Sequence, residues 1–279
     1  MCLAAFALNA RPDLPFVLIA NRDEFHARPT APAAPWAGQP GLVAGRDLSA
    51  GGTWLGIAAP GRYALLTNYR DPSHVLPDAP SRGALVQGFL SGRDSPRDYA
   101  HAVHARGADY NGFNLVVGDA QGAWYAGNRD GAPRALADGV HGLSNHLLDT
   151  PWPKVVRTRE ALQAWLAEGA LPPSPAGEAP DLRALWRILA DRRAPPDAEL
   201  PDTGVGLARE RLLGSPMIVS KTYGTRCASV LLLRPGVGLS LHELQYRPDG
   251  SAGTQADWLL PADTRLPAGV AVALTRQAG

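Results

Sequence analysis

The amino-acid sequence predicts an α/β fold in which two β-sheets lie face to face and helices cover their outer sides. Three observations carry that expectation. Strand-like and helix-like segments alternate in blocks along the chain; the strand-like ones are short and bounded by Gly and Pro; the helix-like ones gather their apolar residues on one face. The block order is strands, helices, strands, helices, strands, which suits stacked sheets because each apolar sheet face must be covered by another layer.

The first block holds residues 2–8, 16–21, 52–58 and 63–69, all apolar, β-competent and closed by turn residues. Residues 81–90 then place Ala84, Leu85, Val86, Phe89 and Leu90 on one helical face, and residues 96–105 follow with Pro96 suited to a helix start. Strand character returns in 112–118, 123–127 and 139–144. Residues 152–168 carry Val155, Val156, Leu162, Trp165 and Leu166 at helical intervals, and 181–190 form a further helix that Asp181 can cap. Between these two helices, 171–177 reads as a surface loop, rich in Pro; 194–201 is a second connector. Residues 217–220, 225–233 and 239–246 close the chain as strands. No internal repeat and no sharp boundary divides the 279 residues, which are expected to form one domain over 1–279.

Bulk properties narrow the function. With 45% hydrophobic and 19% charged residues the chain is globular in composition, and 27 basic against 26 acidic side chains leave a net charge of +1. No chain-wide field draws it onto nucleic acid or an anionic bilayer. The start of the chain has no basic region followed by an apolar run, and nothing reaches the ~18 to 20 apolar residues of a membrane helix. Two cysteines, Cys2 and Cys227, form neither a disulfide framework nor a CxxC site. A cytoplasmic protein with no integral membrane segment is expected. The partner is then a small-molecule ligand or substrate; nothing in the sequence signals an oligomeric state.

Cys2 draws attention by position. Removal of Met1 would expose a cysteine carrying both a thiol and a free α-amine, whose reference pKa of ~7.7 to 8.0 lets it take the thiol proton. The bland reading is a frayed terminus, but Cys2 opens an alternating apolar strand, and a terminus paired into a sheet is held. The string Asn21-Arg22-Asp23-Glu24 follows a buried-type strand; there Arg22 could lower the thiol pKa, and Asp23 or Glu24 could orient Arg22 or receive the α-ammonium. A solvated turn with a local ion pair is the competing account. Gly51-Gly52-Thr53-Trp54 and Leu66-Thr67-Asn68-Tyr69 come next: Asn68 could donate to a developing oxyanion, while the glycines and Trp54 could simply build a hairpin. Asn145 and Arg226 each sit at the end of a β-segment. His101 and His104 lie three apart without a third ligand and make no metal site, and Cys227 inside a β-run reads as a small buried hydrophobe.

Taken together, Met1-Cys2, Asn21-Arg22-Asp23-Glu24-Phe25 with Arg28-Pro29, Gly51-Gly52-Thr53-Trp54-Leu55-Gly56, Leu66-Thr67-Asn68-Tyr69, Tyr110-Asn111-Gly112-Phe113-Asn114, Gly127-Asn128-Arg129, Gly142-Leu143-Ser144-Asn145 with Thr150-Pro151-Trp152, and Tyr223-Gly224-Thr225-Arg226 resemble the NRDE family, the relatives of Transport and Golgi organisation protein 2. The resemblance spans Met1 to Arg226. It implies a four-layer αββα sandwich of the N-terminal-nucleophile hydrolase type, with choloylglycine hydrolase and penicillin V acylase as enzyme analogues. Carried over, Cys2 would attack a linear amide, Arg22 and Asp23 would hold amine and thiol, and Asn68 and Asn145 would support oxyanion and amine. Asn21, Glu24, Trp54 and Arg226 would contact substrate. In those hydrolases the arginine and aspartate are separated by two residues, whereas Arg22 and Asp23 are adjacent here and must point apart on an extended segment, leaving Asp23 and Glu24 both open as the partner of Cys2. The resemblance equally admits a non-enzymatic protein that binds or carries haem or a lipid-like ligand; no catalytic cofactor is implied.

Overall fold

The computed structural model describes residues 2–169, 171, 177–262 and 270–275. Met1 and most of the Pro-rich segment 171–177 fall outside them. Among the described residues, fourteen strands form two antiparallel sheets. One sheet has the order β10-β1-β2-β11-β12-β13-β14, built from β1 (Cys2–Arg11), β2 (Leu14–Phe25), β10 (Gly139–Leu143), β11 (Tyr223–Arg234), β12 (Gly238–Tyr246), β13 (Ala252–Pro261) and β14 (Val272–Ala273). The other runs in sequence order: β3 (Thr30–Pro35), β4 (Leu42–Asp47), β5 (Leu55–Ala58), β6 (Arg62–Asn68), β7 (Phe113–Asp119), β8 (Gly122–Gly127) and β9 (Arg134–Ala135).

Alternation along the strands creates three cores. Ala4, Phe6, Phe16, Leu18 and Leu231 of the first sheet meet Ile57, Tyr63, Leu65 and Tyr125 of the second, with Phe16 and Tyr63 stacked at 4.0 Å. On the outer side of the second sheet, α1 (Gly83–Ser91) and α2 (Pro96–Ala105) insert Val86, Phe89 and Ala100 against Leu66, Leu115 and Val117. On the outer side of the first, α3 (Pro153–Ala167) and α4 (Arg183–Leu189) cover Val17, Ile19 and Val230 with Leu162, Leu185 and Leu189. The layers therefore stack as αββα, the expected arrangement. A short α5 (Leu207–Leu213) lies in the connector before β11.

Helix starts follow local chemistry. Pro96 and Pro153 stand in the first turns of α2 and α3, where a missing N–H costs nothing, and Ser95 caps α2 by accepting the Asp98 amide. Asp181 accepts the Arg183 amide at the start of α4. The expected strand at 217–220 is not one: the Thr225 amide donates to the Ile218 carbonyl, the Ile218 amide donates to the Thr225 hydroxyl, and Met217 donates to the Asp191 carbonyl, folding the segment back over the entry to β11. Here tertiary pairing outweighs β-propensity.

Candidate functional site

Strand register places the reactive residues. Cys2 pairs with Arg22 across β1 and β2, two residues beyond the Ala4–Ala20 pair that faces the inter-sheet core, so Cys2 and Arg22 point between the sheets. Asn21 and Asp23 point to the opposite face. A bulge in β11 between Thr225 and Cys227, opposite Arg22 and Asp23, bends the sheet at this spot. The Asp23 carboxylate accepts the Thr225 hydroxyl at 2.7 Å, while its backbone N–H is directed at the Cys2 thiol. Burial pushes the thiol above its ordinary value; the Asp23 charge adds to the rise, and Arg22 and the Asp23 amide oppose it. Burial also raises the Asp23 carboxyl, against the pull of Lys154, Thr225 and Arg22. The Asp23 charge acts on the thiol from the opposite face, and Glu24 lines the same cavity as Cys2.

Cys2 lines a cavity of about 480 Å³ together with Arg22, Glu24, Trp54, Asn68 and Arg82. Arg22 lies over the Trp54 ring at 4.2 Å and faces Asp47 at 3.6 Å, and Arg28 donates to the same carboxylate at 2.7 Å. Trp54 needs room that Gly45 provides, since a Cβ there would stand 2.4 Å from the indole. Gly52 has the same kind of role: its missing Cβ would meet the Gly83 carbonyl carbon at 2.6 Å, where the start of α1 closes on the cavity wall. The turn glycine Gly51 adopts φ +79, a conformation that glycine takes without strain.

Asn68 ends β6 and lines the cavity. Asn145 is fully buried and sits behind it, donating its side-chain amide to the Asn68 carbonyl at 2.8 Å. Ser144 donates to the Cys2 carbonyl at 3.0 Å, Thr67 donates to the Ser144 carbonyl, and Asn114 joins Thr67 to the His146 carbonyl. This buried ladder ties the end of β1 to the second sheet. Two expected substrate contacts lie elsewhere. Asn21 donates to the Leu189 and Pro216 carbonyls under the helical layer, because strand alternation turns it away from Arg22. Arg226 donates to the carbonyls of Phe25, His26 and Arg28, clipping the loop after β2.

A second cavity of about 490 Å³ adjoins the first and shares Glu24, Asn68 and Arg82 with it. Its walls are more apolar, with Phe25, Val205, Leu212, Leu213 and Tyr223. Helix α5 forms one wall and is held by two buried charges. Arg70 pairs with Glu210 at 2.7 Å, and Glu210 also accepts the Thr203 amide and hydroxyl. Lys154, buried in the first turn of α3, donates to the Leu213 carbonyl at 2.9 Å. Burial pushes Lys154 down to about 8, with Asp23, Cys2 and Glu210 opposing the fall. A wider groove of about 740 Å³ beside α3 and α4 is lined by Trp165, Trp186 and Arg187 and lies away from Cys2. Elsewhere, Ser240, His242 and Asp257 form a hydrogen-bonded chain on the outer face of β12 and β13, with His242 2.8 Å from Asp257 and 3.0 Å from Ser240. All three are buried, and none lines a cavity described above.

A model of the family described as Transport and Golgi organisation 2 matches residues 1–248. The chain belongs to that family. It is 34% identical over 250 residues to the Transport and Golgi organization 2 homolog of Mus musculus, and 35% identical over 255 residues to the homolog of Bos taurus. Each alignment covers 84% of this chain and 88% of the relative. Among solved structures, a Caenorhabditis elegans N-acylethanolamine-hydrolyzing acid amidase ortholog is similar at 10% identity and a TM-score of 0.46, covering 93% of this chain and 100% of that one. That likeness is distant.

Sequence reasoning passed over Asp47, Arg82 and Lys154, and took in Arg28 only as part of the Arg28-Pro29 motif. Asp47 did leave a signal: it opens Asp47-Leu48-Ser49-Ala50, and its carboxylate accepts the Ser49 and Ala50 amides in the manner of an Asx turn. Lys154 left none beyond its place after Pro153. Among the described residues no helix is long and apolar enough to cross a membrane, and no group of three His, Cys, Asp or Glu could hold a metal ion.

Proposed function

We propose that the protein is a cysteine N-terminal-nucleophile amidohydrolase that cleaves a linear, non-peptide C–N amide bond. The observation that carries this reading is Cys2 itself, strand-paired at the end of β1 and facing a cavity beside Arg22, with the Asp23 amide on its thiol. A thiol raised by burial needs a base at hand, and loss of Met1 would supply one in the α-amine of Cys2. In this mechanism the amine takes the thiol proton and sulfur attacks the amide carbon. Asn68 donates to the resulting oxyanion, and the proton passes to the departing amine. Water then cleaves the thioester, releasing the acid and restoring the thiol. Arg22 and Asp23 hold thiol and amine, and Asn145 acts through Asn68.

Intact mass before and after brief treatment with iodoacetamide, with Cys2→Ala as control, tests the reading. Absence of Met1 and rapid single labelling at Cys2 are expected, followed by amide turnover that Cys2→Ala abolishes. Retained Met1, or labelling no faster than that of a free thiol, overturns it. A second reading, carriage of haem or a lipid-like ligand, draws support from the apolar walls of the adjoining cavity. A saturable Soret shift on titration with haem supports the haem form, and a flat titration removes it.

A further inference from the structure

We infer that the cleft selects an anionic substrate, an amide carrying a carboxylate that Arg82 receives at the junction of the two cavities. The inference rests on the amidohydrolase reading and adds the class of substrate. Its basis is the pairing of charges around the cleft. Asp47 is bound by Arg28 and faces Arg22, and Glu24 lies 3.9 Å from Arg28. Asp71 is held by Arg129, and Arg70 is spent on Glu210. Asp23 lies in the field of Lys154. Arg82 differs from its neighbours. Among the described residues its guanidinium has one hydrogen bond, from Nη1 to the Gly112 carbonyl at 2.8 Å, and no carboxylate within ion-pair distance.

Arg82 is half-buried and borders both cavities, and its pKa is lowered by burial while the Cys2 and Glu24 charges oppose that fall. A partly desolvated guanidinium with open donors is costly to maintain, and a planar carboxylate matches its fork. The Gly112 bond fixes the fork's position, so the donors are set before a ligand arrives. Arg209, exposed on α5, lines the apolar cavity without a carboxylate partner among the described residues and adds to the same positive field. The substrate then places its amide at Cys2, its charge at Arg82 and its apolar part against Leu212 and Tyr223.

Two alkylating reagents that differ in charge test this directly. Iodoacetate and iodoacetamide both transfer a two-carbon group to the Cys2 thiolate, forming a thioether and releasing iodide, but only iodoacetate carries a carboxylate. Rates at Cys2, read by intact mass, are expressed as the iodoacetate-to-iodoacetamide ratio relative to N-acetylcysteine. The wild-type ratio is expected to exceed that of N-acetylcysteine by about tenfold, the low end of electrostatic steering. Arg82→Gln brings it close to one, Arg82→Lys keeps part of the preference, and raising salt from about 0.05 to about 0.5 M erodes it in wild type. A wild-type ratio no higher than that of N-acetylcysteine, or one unchanged in a folded Arg82→Gln, overturns the anion inference while leaving Cys2 as nucleophile. Failure of both reagents at Cys2 overturns the nucleophile reading and this inference with it.

Discussion

Replacing Glu210 by Ala removes the carboxylate that meets Arg70 at 2.7 Å, at a site where the two side chains are 3% and 6% exposed. With an effective dielectric of ~20 the pair attracts by about 6 kcal/mol before desolvation is counted. Deleting one member of a buried pair leaves the other buried without its counter-charge and costs about 3 to 5 kcal/mol. The Thr203 amide and hydroxyl lose their acceptor too, but Thr203 is only half-buried and water can replace it. At roughly 2 °C per kcal/mol, the low end for a chain of this size, Glu210→Ala should lower Tm by about 6 to 10 °C. Urea unfolding followed by circular dichroism should show a lower midpoint with an unchanged slope. The double variant Arg70→Met with Glu210→Leu should recover most of the loss, since apolar replacement of a whole buried pair is often neutral. A cost below about 1 kcal/mol for Glu210→Ala, the value of an exposed pair, would refute the argument that α5 is anchored by this ion pair.

Three other expectations follow from the same geometry. Lys154→Met removes the cation whose field reaches Asp23 and Cys2; the pH profile of iodoacetamide labelling at Cys2 should move to higher pH, Lys154→Arg should move it less, and an unmoved profile would count against the coupling. Gly52→Ala drives a Cβ into the Gly83 backbone at 2.6 to 2.8 Å, which only a shift of α1 or the 47–52 turn can relieve; a loss of about 1 to 3 kcal/mol in urea unfolding is expected, and wild-type stability would show that the wall is soft. His141 and Asp149 pair at 2.8 Å; the hydrogen bond to Asp149 raises the His141 pKa above 6.5, and hydrogen bonds from His141 and the Gly142 amide outweigh burial to depress Asp149 below 3.8. The His141 contribution is therefore complete below pH 6.5 and lost as pH rises through its raised value, whereas that of Asp149 is lost as pH falls through its depressed value. The stability difference between wild type and His141→Gln should shrink from pH 6 to pH 9, as melting temperatures would show; a constant difference would contradict the pairing.

The sequence was legible where local pattern and tertiary environment agree. Residues 96–105 gave α2 to the residue because Pro96 marks its start, and β1 and β2 could be read because alternation there matches one buried face on each side. The same alternation foretold that Arg22 and Asp23 diverge. Strands β3 and β13 escaped notice: Thr30–Pro35 is Pro- and Ala-rich, and Ala252–Pro261 mixes polar residues into a sheet flank. Arg82 and Lys154 were illegible as site residues for a different reason. They converge from separate loops and helices, and no spacing records a contact made only when two sheets close on each other.

The buried Ser240–His242–Asp257 chain has a bearing on how the last hairpin finds its place. His242 and Asp257 stand directly opposite each other across β12 and β13. A slip of one residue would swing His242 from the outer face into the packed interior beside Leu241, stranding an imidazole among hydrocarbon and leaving a carboxylate on the other strand without its mate. A slip of two would keep the faces but part the ring from its acid by two residues. The trio thus works as a proofreading device for strand alignment. It contains the groups of a hydrolytic relay, yet each is occupied with its neighbour, and the errors it penalises arise during assembly rather than at the finished surface.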